Sequence, residues 1–516
     1  MHRATTAPRR VSRRGFLRVT AGEAAAATIG RAAPTLAEPA APPGASSRSL
    51  QPSDPLLRAL GEKIRPLWPQ YKIPGVAMGM YYQGQEHVRG YGVTNVDYPQ
   101  PVDGDTLFRI GSTTKTFTGT TVMRLVEQGL LDLDAPVRTY LPSLRLADES
   151  VAARVRVRQI LNHSAGRLGE YYSDFGRGAD AITRLRRGHG GADAAHPARR
   201  GVRLQQRGRR AHQARHRADC RPAYEDVVRT RVLDPLRLDH TAFLSDEIVG
   251  YNVAASHIVD DGRPVVAPAL WPLWRTLHPT GGLISSARDQ LRYARFHLGV
   301  GLGDGPGADG PPVLSPAALR AMRADPGPGG TLVVEINGVG VSWWQRRTAE
   351  GVPVFQHGGD WPGQHSGFFF VPDRDFALTV LTNSTSGPAL TAELCFGDWA
   401  LRQFAGLRNP PAIPRALTPA QLAPYEGLYW AQEIDPPPGE AAETWIEFSA
   451  AEGRLRGRMI AGDKTQEFDV AFYRDNYVVA LDADGQPTPS RANFLPGPDG
   501  RIAWFSFGGR LHARQG

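Results

Sequence analysis

The sequence predicts a mixed α+β protein, an antiparallel sheet flanked by helices with a helical subdomain, followed by a small C-terminal antiparallel β-barrel-like domain. Three observations predict it. Hairpin patterns rich in aromatic and β-branched residues lie at 75–93 and 363–384, with helix and loop patterns between them. A Pro-rich linker follows, bounded at 406–417. Beyond it, short strands recur between Gly- or Asp-containing turns over 418–516. The chain has 516 residues, 41% hydrophobic and 22% charged, which suits two or three soluble domains with a sizeable core.

Taken in order, Arg13 and Arg14 of SRRGFLRVTAG precede Phe16, Leu17 and an Ala-rich run, which resembles a twin-arginine export signal. Residues 1–50 are therefore expected to be signal and linker, cleaved near Ala37, and the mature protein is expected to be exported, periplasmic or extracellular. The alternative is a disordered basic tail, and Glu23 interrupts the apolar region. Elsewhere no apolar run approaches the roughly 20 residues of a spanning helix, so no integral membrane segment is expected after signal removal.

The stretches GVAMGMYYQG and EHVRGYGV read as two strands around a Gly-containing turn. A helix is expected to begin near Ser112, with Phe117, Val122, Leu125 and Val126 on one face and Gly129 as its stop. The middle of the chain, to about Gly299, reads as helix and loop. A Gly/Pro-rich loop occupies 301–312, and PDRD at 372–375 turns the second hairpin. After the linker, TWIEF, RLRGRMI, EFDVAFY, NYVVAL and RIAWFSF read as the strands of the last domain.

The formal charge of +9 points at first sight to an anionic partner. Its source is local: residues 185–220 hold ten Arg and two Asp, a net of +8, with no Lys, Glu, Phe, Tyr or Trp. A run without aromatic stacking platforms is a poor single-strand groove, so no nucleic-acid partner is expected. The two cysteines, Cys220 and Cys395, define no disulfide framework. His189, His196, His212 and His216 lack the spacing of a zinc site, and no metal is expected.

In FRIGSTTKTFTG, Ser112 and Lys115 stand three residues apart at the expected helix start and so share a face. A neutral Lys115 amine there can take the Ser112 hydroxyl proton, and burial disfavours the ammonium form. The free N–H groups of a helix N-terminus favour a developing oxyanion at the same place.

This stretch resembles the nucleophile helix of the serine β-lactamase and penicillin-binding-protein superfamily, most closely the class C-like branch of esterases, D-aminopeptidases and D-Ala-D-Ala carboxypeptidases. Five further segments match in order: ILNHSAG from Ile160, AYEDVV from Ala223, VLDPLRLDHTAF from Val232, PTGGLISSARD from Pro279 and FQHGGDWPG from Phe355. The resemblance covers about 56–405, and the last domain resembles the lipocalin-like appendage often fused to this family. It implies a β-lactamase/transpeptidase-like domain over 51–405 and places His357, Gly358 and Gly359 in the family's third motif. There the missing side chains let substrate pair with the strand, and the Asp360 N–H is implied as second oxyanion donor beside that of Ser112. The competing reading is a strand-entry turn with a solvent-facing histidine. Asn162 and His163 read as structural, Asn162 fixing its loop through side-chain to backbone bonds.

The family's second motif, Tyr-x-Asn, belongs between ILNHSAG and AYEDVV, and none of Tyr171, Tyr172 or Tyr224 is followed two places on by Asn. Reverse-translated with permitted codons and read one base on, residues 196–208 can spell TPPGEVFAYN followed by Asn or Ser and then Ala, which with Asn supplies the motif. A paired frameshift over 185–220 is thus the favoured reading, and a real basic insertion that replaced the motif is the rival.

The resemblance implies an exported serine hydrolase with Ser112 as nucleophile and Lys115 as base, acting without metal or organic cofactor on a small-molecule or peptide substrate: an ester, a D-amino-acid peptide or a β-lactam. The chain as it stands is expected to be impaired for want of the tyrosine. A non-catalytic cell-wall or peptide-binding protein is the alternative.

Overall fold

The computed structural model describes residues 55–146, 148–165, 174–182, 184, 222–300, 312–324, 326–332, 334–433 and 441–515. The proposed signal, the loop at 301–311, Tyr171, Tyr172 and the basic run lie outside the described residues.

The two hairpins expected far apart in sequence are joined in one seven-stranded antiparallel sheet. Its strands are β1 (Gly75–Tyr82), β2 (Gln85–Gly92), β3 (Gly338–Val339), β4 (Trp344–Arg347), β5 (Pro353–Trp361), β6 (Gln364–Val371) and β7 (Phe376–Thr382), in the order β3-β4-β5-β6-β7-β1-β2. Gln83 and Gly84 both take positive φ, 49° and 78°, which is the two-residue turn whose twist matches the flanking strands. Pro372–Arg374 and a left-handed Asp375 close the second hairpin at the expected place.

Every residue of β6 and β7 is buried because the sheet is covered on both faces, and the period of two assigns the faces. Phe368, Phe370, Ala377 and Leu381 share a core with Phe117 of helix α2 (Thr114–Glu127) and with Leu291 and Ala294 of the helix Ala287–Leu298. Phe369, Phe376, Leu378 and Val380 turn the other way, onto Leu60 and Ile64 of helix α1 (Pro55–Gln70) and onto Leu390, Leu394 and Leu401. At about 1.5–3 kcal/mol per buried large side chain, these two layers supply the main cohesion of the domain. Ser286 caps the helix Ala287–Leu298 by accepting from Asp289 N.

The structure adds to two expectations. Helix α2 packs Val122 and Val126, both half-buried, against the same core as Phe117 and Met123, and it also buries Thr114, Thr116, Thr120 and Thr121. The hydroxyls are accommodated because they bond internally, as in Thr121 Oγ1 to Phe117 O at 2.9 Å. The middle of the chain also holds more strand than its pattern announces. His257–Asp260 and Arg263–Val266 pair around Asp261 and Gly262, and Phe108–Arg109 and Thr241–Ala242 flank Ile284–Ser285 in a ribbon of two-residue strands too short to show periodicity.

The C-terminal residues form a closed barrel of eight strands: β8 (Gly427–Gln432), β9 (Glu443–Ala451), β10 (Arg454–Ala461), β11 (Lys464–Arg474), β12 (Tyr477–Leu481), β13 (Pro487–Pro496), β14 (Ile502–Phe507) and β15 (Arg510–Gln515). The five strands read from sequence fall in β9, β10, β11, β12 and β14. The other three were hidden by terminal prolines in β13, by the nearby linker in β8 and by the Arg-rich pattern of β15. Aromatic rings fill the interior: Phe505 lies 4.8 Å from both Phe448 and Phe494, and Tyr429 lies 5.8 Å from Phe494. The linker is bonded to the barrel through Arg415 N to Phe472 O at 2.8 Å and Leu417 N to Gly453 O at 3.0 Å. Thr331 to Asn493 and Tyr473 to Glu335, each at 2.7 Å, tie the barrel to the segment that precedes β3.

Candidate active site

Ser112 lies on a short 3-10 turn, Gly111–Thr113, that runs directly into α2. Gly111 has φ +48°, and a Cβ there would stand 2.7 Å from both the N and the O of Asp360, so only glycine lets this turn lie against β5. One turn into the helix, Lys115 Nζ donates to Ser112 Oγ at 2.7 Å and to the carbonyl of Thr280 at 3.1 Å. Both Ser112 and Lys115 are half-buried, so Lys115 is less enclosed than the sequence predicts.

β6 locks the turn from beside it. Ser366 Oγ donates to Ile110 O at 2.8 Å, which leaves it to accept from Thr113 Oγ1 at 2.7 Å. Gln364 accepts from Arg109 N at 2.6 Å and donates to Ala254 O at 2.8 Å.

β5 brings His357, Gly358, Gly359 and Asp360 to this turn, though the glycines serve a different end from the one expected. A Cβ on Gly359 would collide with the Ile110 carbonyl oxygen and stand 2.8 Å from Ser112 N, and one on Gly358 would stand 3.0 Å from the Phe396 ring. Both positions face protein, and the close approach of strand and nucleophile turn is what excludes a side chain. Pairing along the strand edge is a separate matter. β4 pairs with β5 only at residues 353–356, so among the described residues no strand covers that edge from His357 onward.

His357 is 1% exposed, which removes the solvent-facing alternative. Its Nδ1–H donates to Gly358 O at 2.6 Å and its ring lies 4.3 Å from that of Trp344. Burial, then the Lys115 charge, hold the imidazole well below its ordinary pKa, so it is neutral. Asp360 projects its carboxylate outward, where it accepts from His365 Nδ1 at 2.7 Å. Asn162 behaves as read, its Oδ1 accepting from Ser164 N at 3.1 Å and Ser164 Oγ at 2.6 Å.

Sequence reasoning missed a second layer behind Lys115. Glu225 on helix α3 (Tyr224–Val228) is 2% exposed and accepts from Arg275 Nε at 2.9 Å, Arg275 NH2 at 3.0 Å and His278 Nδ1 at 2.6 Å. Burial pushes its carboxyl up, but the His278 and Arg275 bonds outweigh it and bring the pKa to about 2. Arg275 NH1 also donates to Arg177 O at 3.0 Å, so residues on both sides of the basic run meet at one guanidinium. Tyr224 bonds Thr118 Oγ1 at 2.7 Å, and burial raises its phenol. Its bond partner Thr118 lies one turn beyond Lys115 on α2. The AYEDVV and PTGG matches were the only signal for this layer, and neither spacing announces that the two would meet.

The family described as Beta-lactamase matches residues 60–195 and 214–394 of the chain. The interruption between them falls inside the basic run. Penicillin-binding protein 4 of Amycolatopsis lactamdurans is 31% identical over 403 residues, 71% of this chain and 96% of that protein. Among solved structures, that of SurE shares the fold with a TM-score of 0.61 at 24% identity, over 89% of this chain and 99% of its own. The octameric penicillin-binding protein homologue from Pyrococcus abyssi does so with a TM-score of 0.54 at 20% identity, over 89% and 100%. That share exceeds residues 1–405, so the likeness of fold extends into the barrel.

Proposed function

The chain belongs to the β-lactamase family of penicillin-binding-protein-like serine hydrolases, and from that premise we propose that it acts through an acyl-enzyme on Ser112 with Lys115 as base. The carrying observation is the 2.7 Å bond between Lys115 Nζ and Ser112 Oγ at a helix N-terminus packed on β5. In its neutral form Lys115 takes the hydroxyl proton as Ser112 Oγ attacks the substrate carbonyl. The N–H groups of Ser112 and Asp360 receive the oxyanion, because the Gly111 contact brings both main-chain segments together. Collapse of the tetrahedral intermediate expels the alcohol or amine, which takes the proton from Lys115, and water then releases the acyl group. His357, buried and neutral, adds no charge where the oxyanion forms.

The substrate is an ester, a D-amino-acid peptide or a β-lactam. The relationship to a penicillin-binding protein favours acyl donors of the last two kinds. Export through the Arg13-Arg14 signal suits such substrates. The interrupted family match supports a displaced frame in the basic run, and a chain lacking the second-motif tyrosine turns over slowly. That same lack favours the second reading, a cell-wall or peptide-binding protein without turnover. Incubation with a fluorophosphonate and with a fluorescent penicillin separates them: label on Ser112, lost in Ser112→Ala, is the expected result, and label on neither probe supports the binding protein.

A further inference from the structure

We propose that Glu225 is a positioning residue for Lys115, acting through the helix α4 (His278–Gly281); this rests on the reading of Lys115 as the base. Helix α4 has four residues, far too few to hold itself together, so its place is set by what grips it. Glu225 grips its first residue through His278 Nδ1 at 2.6 Å. Thr118 Oγ1 grips the second by donating to Pro279 O at 2.6 Å, and accepts from Tyr224, the neighbour of Glu225. The third residue, Thr280, presents the carbonyl that receives Lys115 Nζ at 3.1 Å. After the helix, Leu283 is held by Thr114 Oγ1 at 3.1 Å and by Ile110 N at 3.1 Å.

The consequence is a closed loop of bonds from α3 through α4 to the nucleophile helix. A carboxylate buried to 2% and ringed by Arg275 and His278 is a stiff anchor, because moving it costs charge-assisted bonds in a dry site. If the anchor is removed, the start of α4 shifts and the Thr280 carbonyl leaves the amine. The environment that orients Lys115 toward Ser112 Oγ then changes, although Glu225 touches neither the base nor the nucleophile.

The chain has only four lysines, Lys63, Lys72, Lys115 and Lys464, so lysine carbon-13 NMR resolves Lys115 and needs no turnover. Glu225→Gln is expected to displace the Lys115 titration by about half a pH unit or more and to slow fluorophosphonate labelling of Ser112 about tenfold, with its pH profile displaced. Glu225→Asp is expected to lie between Gln and the unaltered chain. Thr118→Val removes one hydroxyl without a buried charge, so it keeps the test open if Glu225→Gln does not fold, and it is expected to move the same signal. Asp289→Asn, a buried carboxylate bonded to His240 and Thr241 elsewhere, controls for lost stability and is expected to leave the Lys115 signal in place. An unmoved Lys115 signal in the folded Glu225 or Thr118 variant overturns the positioning role. No labelling of the unaltered chain, with the Lys115 signal still displaced by Glu225→Gln, overturns the acyl-enzyme reading and leaves the positioning intact.

Discussion

Gly359 and Ile110 approach so closely that a methyl group on Gly359 would strike the Ile110 carbonyl oxygen. This contact seats the nucleophile turn on β5 and sets Ser112 N beside the Asp360 main chain. Gly359→Ala is therefore expected to force strand and turn apart, costing about 1–3 kcal/mol of stability and cutting Ser112 labelling more steeply than melting accounts for. Thermal unfolding beside probe labelling checks it; an alanine variant that labels at the original rate would show that the contact is not what aligns the site.

Lys115→Met removes the amine but keeps an unbranched chain of similar length on the same helix face. Labelling of Ser112 is expected to fall by about 10²–10⁴ with the fold retained. Stopped-flow or gel-based labelling rates decide this, and a loss below tenfold would assign the proton to another group.

Acid should weaken the α3–α4 junction. The Glu225 carboxyl is depressed from 4.5 to about 2 in the folded chain, so its contribution is fully present above pH 4.5 and is lost as pH falls toward 2. The depression corresponds to roughly 3 kcal/mol. Urea unfolding at neutral pH and at successively lower pH is expected to show the gap between the unaltered chain and Glu225→Gln closing over that window. A gap independent of pH would contradict the linkage.

Restoring the reading frame across 185–220 is expected to raise turnover of a short-chain ester by about 10²–10⁴, the usual share of one acid–base group. Residues on either side of the run already meet at Arg275, through Arg177 O and Glu225, so the restored segment has fixed ends to fold between. Parallel assays of both chains, with limited proteolysis, test it: equal activity together with a protease-resistant basic run would make that run a genuine element of the fold.

By itself the sequence determined what repeats locally. The alternation in FFFV and FALTV carries both faces of the sheet. The S-x-x-K spacing places Ser112 and Lys115 on one helix face, and PDRD closes its hairpin, because each is a property of a few consecutive residues. Pattern reading failed where structure is shorter than its own period, as in the two-residue strands around Ile284, and where prolines mask a barrel strand, as in β13. Only the tertiary structure decided why Gly359 is glycine, since that depends on Ile110, about 250 residues earlier in the chain. It alone brought Glu225, Arg275 and His278 together behind Lys115, and it buried His357 against Trp344. Contacts between distant segments are selected by packing of the whole core, and no local spacing encodes them.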